Sequence, residues 1–160
     1  MKKRNVLKWI VFGFAIAINV FILVNSFITG DASTAESNAV ISTTANVINN
    51  ISPGTVSSNN FESFVGFIRK LFGHFGLFAI SGLLTTWALY FFLKDGKHGH
   101  FLDIIGVSFL DGLVVAWLSE LIQLFIPGRS GSSADVLIDL LGYFIGVLLV
   151  ILILFLAKKP

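Results

Sequence analysis

Long apolar runs separated by short polar breaks dominate the chain. Residues 9–30 form the first run, broken only by Asn19, Asn25, Ser26 and Thr29. Residues 71–93 form the second, with His74 and Tyr90 as its ionisable side chains. Residues 104–126 carry Asp111 and Glu120, and residues 136–157 carry Asp139. Each run approaches or exceeds the roughly 20 residues that cross about 30 Å of hydrocarbon. The pattern predicts an all-α, polytopic membrane protein, a bundle of four transmembrane helices.

The stretch between the first two runs has another texture. Residues 31–60 are rich in Ser, Thr, Asn and Ala without periodicity, which reads as a mobile polar loop. Phe61, Phe64, Val65, Ile68 and Phe72 then recur at helical spacing, predicting an amphipathic helix that lies on the membrane surface and leads into the second span. The expected organisation is an N-terminal transmembrane helix (1–30), an external polar loop with an amphipathic end (31–68), a three-helix membrane region (69–157) and a basic cytoplasmic tail (158–160). The first run exceeds the 7–15 apolar residues of a signal peptide, and residues 32–35 offer no clean small-x-small cleavage site, so it reads as an anchor.

Composition narrows the function. Of 160 residues, 55% are hydrophobic and 12% charged, far from the roughly 25% charged of soluble domains. An ordinary soluble enzyme and a disordered regulator are excluded, and a net charge of +2 excludes a nucleic-acid binder. With no cysteine there is no disulfide scaffold, thiolate metal site or cysteine nucleophile. The positions of the charges say more. Lys2, Lys3, Arg4, Lys8, Lys94, Lys97, Lys158 and Lys159 fall on one side of the bundle, and Arg69, Lys70 and Arg129 on the other. The positive-inside rule makes the first side, with both termini, cytoplasmic.

Ionisable groups inside a bilayer are costly and need a reason. With that topology, His74 lies about one turn below the outer surface, Glu120 roughly 9 Å and Gln123 roughly 5 Å below it, and Asp139 one turn below Asp135. Arg129 occupies the outer turn and Lys70 the same level. Polar groups of three helices thus converge on one layer. The alternative is mutual neutralisation, with Glu120 paired to Arg129 or Lys70 merely to fix packing. Ser132 or Ser133 can cap the last helix, and its N-terminus beside Arg129 can hold an anion. The predicted ligand-binding set is Lys70, His74, Glu120, Gln123, Arg129, Ser132 and Asp135. Asp111 projects from the opposite face of its helix to Glu120, toward Asn19 if the first helix is its neighbour. Gly142 and Gly146 form a small-xxx-small packing pair. His98, His100 and Asp103 make a weak metal-ligand pattern, and no nucleophile elbow, phosphate loop or zinc-protease motif is present. No metal site and no cofactor is expected.

These residues resemble a known family. Lys70-x3-His74-Phe75, Glu120-x2-Gln123, Pro127-x-Arg129, Ser132-x2-Asp135-Val136 and Gly142-x3-Gly146 resemble the signature of the VanZ-like family. The resemblance covers residues 69–146 and implies a small, multi-pass protein of the bacterial cell membrane. The family's name-giving type is associated with low-level resistance to the glycopeptide teicoplanin, without change to the peptidoglycan precursor peptide. The family commonly has Asn where this chain has Asp139, which leaves the role of that position open. The resemblance implies a non-enzymatic accessory factor acting on a membrane lipid, a lipid-linked cell-wall precursor or the glycopeptide's anchoring environment. The alternative is a membrane-embedded transferase or hydrolase on a lipid-linked or phosphorylated substrate, with His74 and Glu120 as acid and base and Arg129 as electrostatic clamp. A transporter subunit is weaker, since four helices without inverted repeats would have to oligomerise. No nucleic-acid partner is expected.

The charge distribution makes a direct prediction. Tags at either terminus and in the 94–100 loop should be protected in intact cells, and one at Ser42 accessible; external labelling of the 94–100 loop would invert the topology.

Overall fold

A computed structural model describes residues 2–93 and 101–157, and the described residues are mostly helical, with no strand. The 94–100 loop with His98 and His100, and the 158–160 tail, lie outside them. In chain order the helices are α1 (Lys2–Ser26), α2 (Gly30–Ile51), α3 (Phe61–Ile68), a π-helical stretch (Arg69–Gly76), α4 (Leu77–Leu93), α5 (Phe101–Gln123) and α6 (Ser133–Ala157). Among the described residues four helical segments are long and apolar enough to span a bilayer: Val6–Ser26, Phe61–Leu93, Leu102–Gln123 and Ser133–Ala157. Phe14, Phe21, Leu110, Trp117, Leu137, Leu141 and Phe155 stand exposed around the bundle, an apolar belt that lipid tolerates and water would not.

The first connection differs from the expected loop. Gly30–Ile51 is a helix, and the turn after it is pinned rather than loose. Ile41 and Ala45 are buried on one side, a stripe too narrow to stand out against the surrounding Ser, Thr and Asn. Thr44 satisfies its hydroxyl on the Val40 carbonyl, 2.7 Å away, so polar side chains need not break the helix. Pro53 and Gly54 (φ 80°) end it. Asn49 then grips Val56 by both backbone groups at 2.9 Å, and Asn60 accepts from Ser57 N–H and donates to Thr55 C=O, each at 2.8 Å.

The amphipathic α3 runs unbroken through the π stretch into α4 as a 33-residue helix, about 50 Å long. That exceeds the hydrocarbon thickness, and the expected surface-lying helix is instead the N-terminal extension of the second span, because the helix does not break at its end. α1 packs on α4 and α5, and α6 packs on α4, α5 and the π stretch. Ile22, Phe78, Val115, Ala116, Tyr143 and Val147 form the central apolar core.

The Gly142–Gly146 pair does pack against another helix. Gly142 meets the backbone of Phe75, Gly146 that of Ala79, and Gly82 reciprocates against Tyr143. A methyl at any of the three would strike a carbonyl, so these helices touch only because side chains are missing. Gly146→Val should therefore lower the thermal unfolding midpoint and membrane abundance, at a cost of about 1–3 kcal/mol or more. Gly13→Ala, where nothing lies within 4 Å, should match wild type in both readouts.

Candidate functional site

The site is delivered by the π-helical stretch. Its sequence, Arg-Lys-Leu-Phe-Gly-His-Phe-Gly, carries two glycines, which ease wider turns, and π-helical turns recur at functional sites. The wider turns also shift the helical phase between His74 and the residues of α4. Lys70 and His74 face the start of α6, whereas Ser81 turns away and donates to Asn19 Oδ1.

His74 stands between two carboxylates. Its Nδ1 lies 3.0 Å from Asp139 Oδ1 and 3.6 Å from Glu120 Oε1. Glu120 is 4% exposed and Asp139 not at all, so water solvates neither. Glu120 is held by its neighbours. Gln123 Nε2 donates to Oε1 at 2.8 Å, and the Ser132 N–H donates to Oε2 at 2.9 Å. Gln123 also approaches Ser119 Oγ at 3.5 Å, and Ser119 shares a 2.9 Å hydrogen bond with Ser26 at the end of α1. Ser132 works twice, since its Oγ caps α6 by accepting from the N–H groups of Ala134 (3.1 Å) and Asp135 (3.2 Å). Lys70 Nζ reaches Asp135 Oδ1 at 2.9 Å.

Arg129 behaves differently from the mutual-neutralisation reading. No ion pair joins it to Glu120 among the described residues; instead Nη1 donates to Ser33 Oγ and Nη2 to the Asn25 carbonyl, both at 3.2 Å. Its fork is thus partly spent tying α1 and α2 to the α5–α6 turn, as is the Gly30 N–H on the Pro127 carbonyl at 3.1 Å. Arg129 Nε is buried with no hydrogen-bond partner among the described residues. Burial first, and Arg69 second, push the guanidinium below its ordinary pKa, with Glu120 opposing; it remains a cation at neutral pH. These groups flank a cavity of about 380 Å³. Arg69, Arg129, Asn25, Ser33, His74 and Gln123 supply its polar lining, and Phe21, Val40, Ile41, Ile68, Phe72 and Phe78 its apolar walls.

Asp111 belongs to a separate network, as its helical phase predicts. Asn19 donates to it at 3.2 and 3.4 Å and Tyr143 OH at 2.8 Å, which joins α1, α5 and α6 in mid-bundle. Of the predicted set, the fold brings His74, Glu120, Gln123 and Ser132 together, sets the Lys70–Asp135 pair beside them, and places Arg129 on the cavity wall. Sequence reasoning left out Asp139, which sits at the centre. Its signal was there, since a carboxylate within a span is costly wherever it lies. Asn25, Ser33 and Ser119 were also missed, because small polar residues in apolar runs carry no distinguishing pattern.

A sequence model of the family described as VanZ/LLP1 matches residues 9–155, nearly the whole chain. The chain belongs to that family, and the match takes in α1 and α2 as well as the motif-bearing region. No curated protein and no solved structure gives a match.

The burial contrast predicts unequal mutational costs. Lys70 is half exposed, so Lys70→Gln should cost no more than about 1 kcal/mol. His74→Leu strips Asp139 of its basic partner and should cost about 3–5 kcal/mol, partly recovered in His74→Leu/Asp139→Leu. Thermal unfolding in detergent measures both, and equal losses would contradict the geometry.

Proposed function

We propose that this VanZ/LLP1 protein is a non-enzymatic accessory protein of the bacterial cell membrane that holds an anionic, lipid-borne group at the outer surface. The occupant is a membrane lipid headgroup or a lipid-linked cell-wall component. By occupying or shielding such groups, the protein lowers the access of a lipoglycopeptide such as teicoplanin. The reading rests on the cavity: a hydrocarbon chain fits against Phe21, Ile41, Ile68 and Phe72, while Arg129, whose Nη atoms each make one hydrogen bond and whose Nε makes none, receives the anion. One carved space therefore has an apolar wall and a cationic end, as an anionic amphiphile requires. The positive-inside reading of the charges supports placing this end outside.

A second reading has its own observation. His74 between Glu120 and Asp139 is an acid–base arrangement, and supports a transferase or hydrolase acting on a lipid-linked or phosphorylated substrate. The two readings separate on turnover.

Arg129→Lys keeps the charge but loses the planar fork, and should weaken binding of anionic over zwitterionic lipid by about tenfold or more. The same variant should lose protection in a teicoplanin-sensitive host at unchanged membrane abundance. Native mass spectrometry of the protein in mixed-lipid nanodiscs measures the first, and drug susceptibility the second. Equal retention of anionic and zwitterionic lipid by wild type would sink the accessory reading. Release of a modified product from a labelled lipid-linked precursor would favour the enzyme.

A further inference from the structure

We propose that His74, Glu120 and Asp139 form a binding site for one divalent transition-metal ion, zinc being the best fit. The three residues come from the π stretch, α5 and α6, far apart in sequence, and each offers one donor atom, all within 4.8 Å of one another. Zinc binds nitrogen and oxygen at about 2.0–2.2 Å in a tetrahedron, which separates neighbouring donors by about 3.4 Å. The His74–Asp139 and His74–Glu120 separations of 3.0 and 3.6 Å bracket that value. The Asp139 and Glu120 donors, also within 4.8 Å of each other, complete the triangle.

Charge argues the same way. Among the described residues His74 is the basic partner within ion-pair reach of either carboxylate, since Lys70 is engaged by Asp135 and Arg129 by Ser33 and Asn25. Two carboxylates against one imidazolium leave the three-residue cluster itself net negative, with Arg129 acting on Glu120 only from a distance. Two carboxylates, a neutral imidazole and a divalent ion sum to zero. Asp139 adds an independent sign. It is wholly buried, its Oδ1 is in the cluster, and its Oδ2 has no hydrogen-bond partner among the described residues. An unpaired buried carboxylate oxygen is expensive, and a cation bound to that carboxylate offsets its charge. Around the site, Gln123 and the Ser132 N–H fix the Glu120 carboxylate, as the outer partners of metal ligands do.

An imidazole nitrogen with two carboxylate oxygens suits zinc, manganese or ferrous iron rather than calcium, which takes 6–8 oxygens. Three protein donors leave a fourth position open. His74 and Gln123 line the cavity, so that position is reached from the cavity side. The metal site stands whether or not the cavity takes a lipid, because its donors are protein side chains.

The test uses the full chain in detergent, stripped with a chelator and titrated with zinc chloride. Wild type should retain one equivalent per chain after desalting, by elemental mass spectrometry, and unfold at higher temperature. Excess calcium or magnesium should not displace the zinc. His74→Ala and Asp139→Asn should each bind about 10-fold or more weakly, while Asp111→Asn, in the separate network, should bind as wild type. Cobalt(II) added to the stripped wild type should give the intense visible bands of a tetrahedral site, a readout independent of variant folding. Substoichiometric zinc with no thermal shift, unchanged binding in the variants, or an octahedral cobalt spectrum would each overturn the site. Anionic-lipid retention, measured separately on the stripped protein, should persist.

Discussion

The imidazole of His74 lies between two buried carboxylates, and the arrangement around it exists to make that tolerable. In hydrocarbon a carboxylate has no water to turn to, so its partners must come from other helices. Glu120 finds Gln123, a backbone N–H of the α5–α6 turn and His74; Asp139 finds His74. These bonds pull α5, α6 and the π stretch into one register, and Ser119 and Ser26 extend the chain of contacts to α1. The Asp111–Asn19–Tyr143 network repeats the same solution in mid-bundle. Two polar layers, each bonded across helices, thus fix a bundle whose outer faces are featureless to lipid.

Close approach and altered helical phase make the first layer possible. Gly142 and Gly146 remove the side chains that would hold α6 away from Phe75 and Ala79. The π-helical turns rotate His74 toward α6 and free Ser81 for the second layer. A straight α-helix would carry both groups on nearly one stripe, and the two layers would compete for it. The π stretch therefore separates a chemical layer from a packing layer within a single helix.

The cavity depends on the elements least like a transmembrane helix. α2 supplies Ile41, Val40 and Ser33 to its wall, and Arg129 is held there by Ser33 and by the last turn of α1. The polar site and the apolar groove are thus joined through Arg129, and the family match includes the helices that build the groove. The cavity joins a cationic end to apolar walls, the feature on which the proposed lipid role rests.

Much of this was legible in the chain. Runs of about 20 apolar residues dictate spans, because nothing else can satisfy a backbone in hydrocarbon. The depth of ionisable residues along each run places His74, Glu120 and Gln123 in one layer, because rise per residue is fixed. The glycine spacing on α6 marks a contact face for the same reason. The tertiary structure alone decided the pairings. Arg129 bonds to groups 96 and 104 residues away rather than to Glu120, which no local spacing encodes. Asp139 becomes central only once the π turns and the glycine crossing bring His74 onto it. The polar connection becomes the α2 helix because two buried residues, Ile41 and Ala45, find a surface to cover, and a stripe that narrow has meaning only against its partner. Periodicity and depth are properties of one helix and can be read from its residues; partnership belongs to the packed bundle.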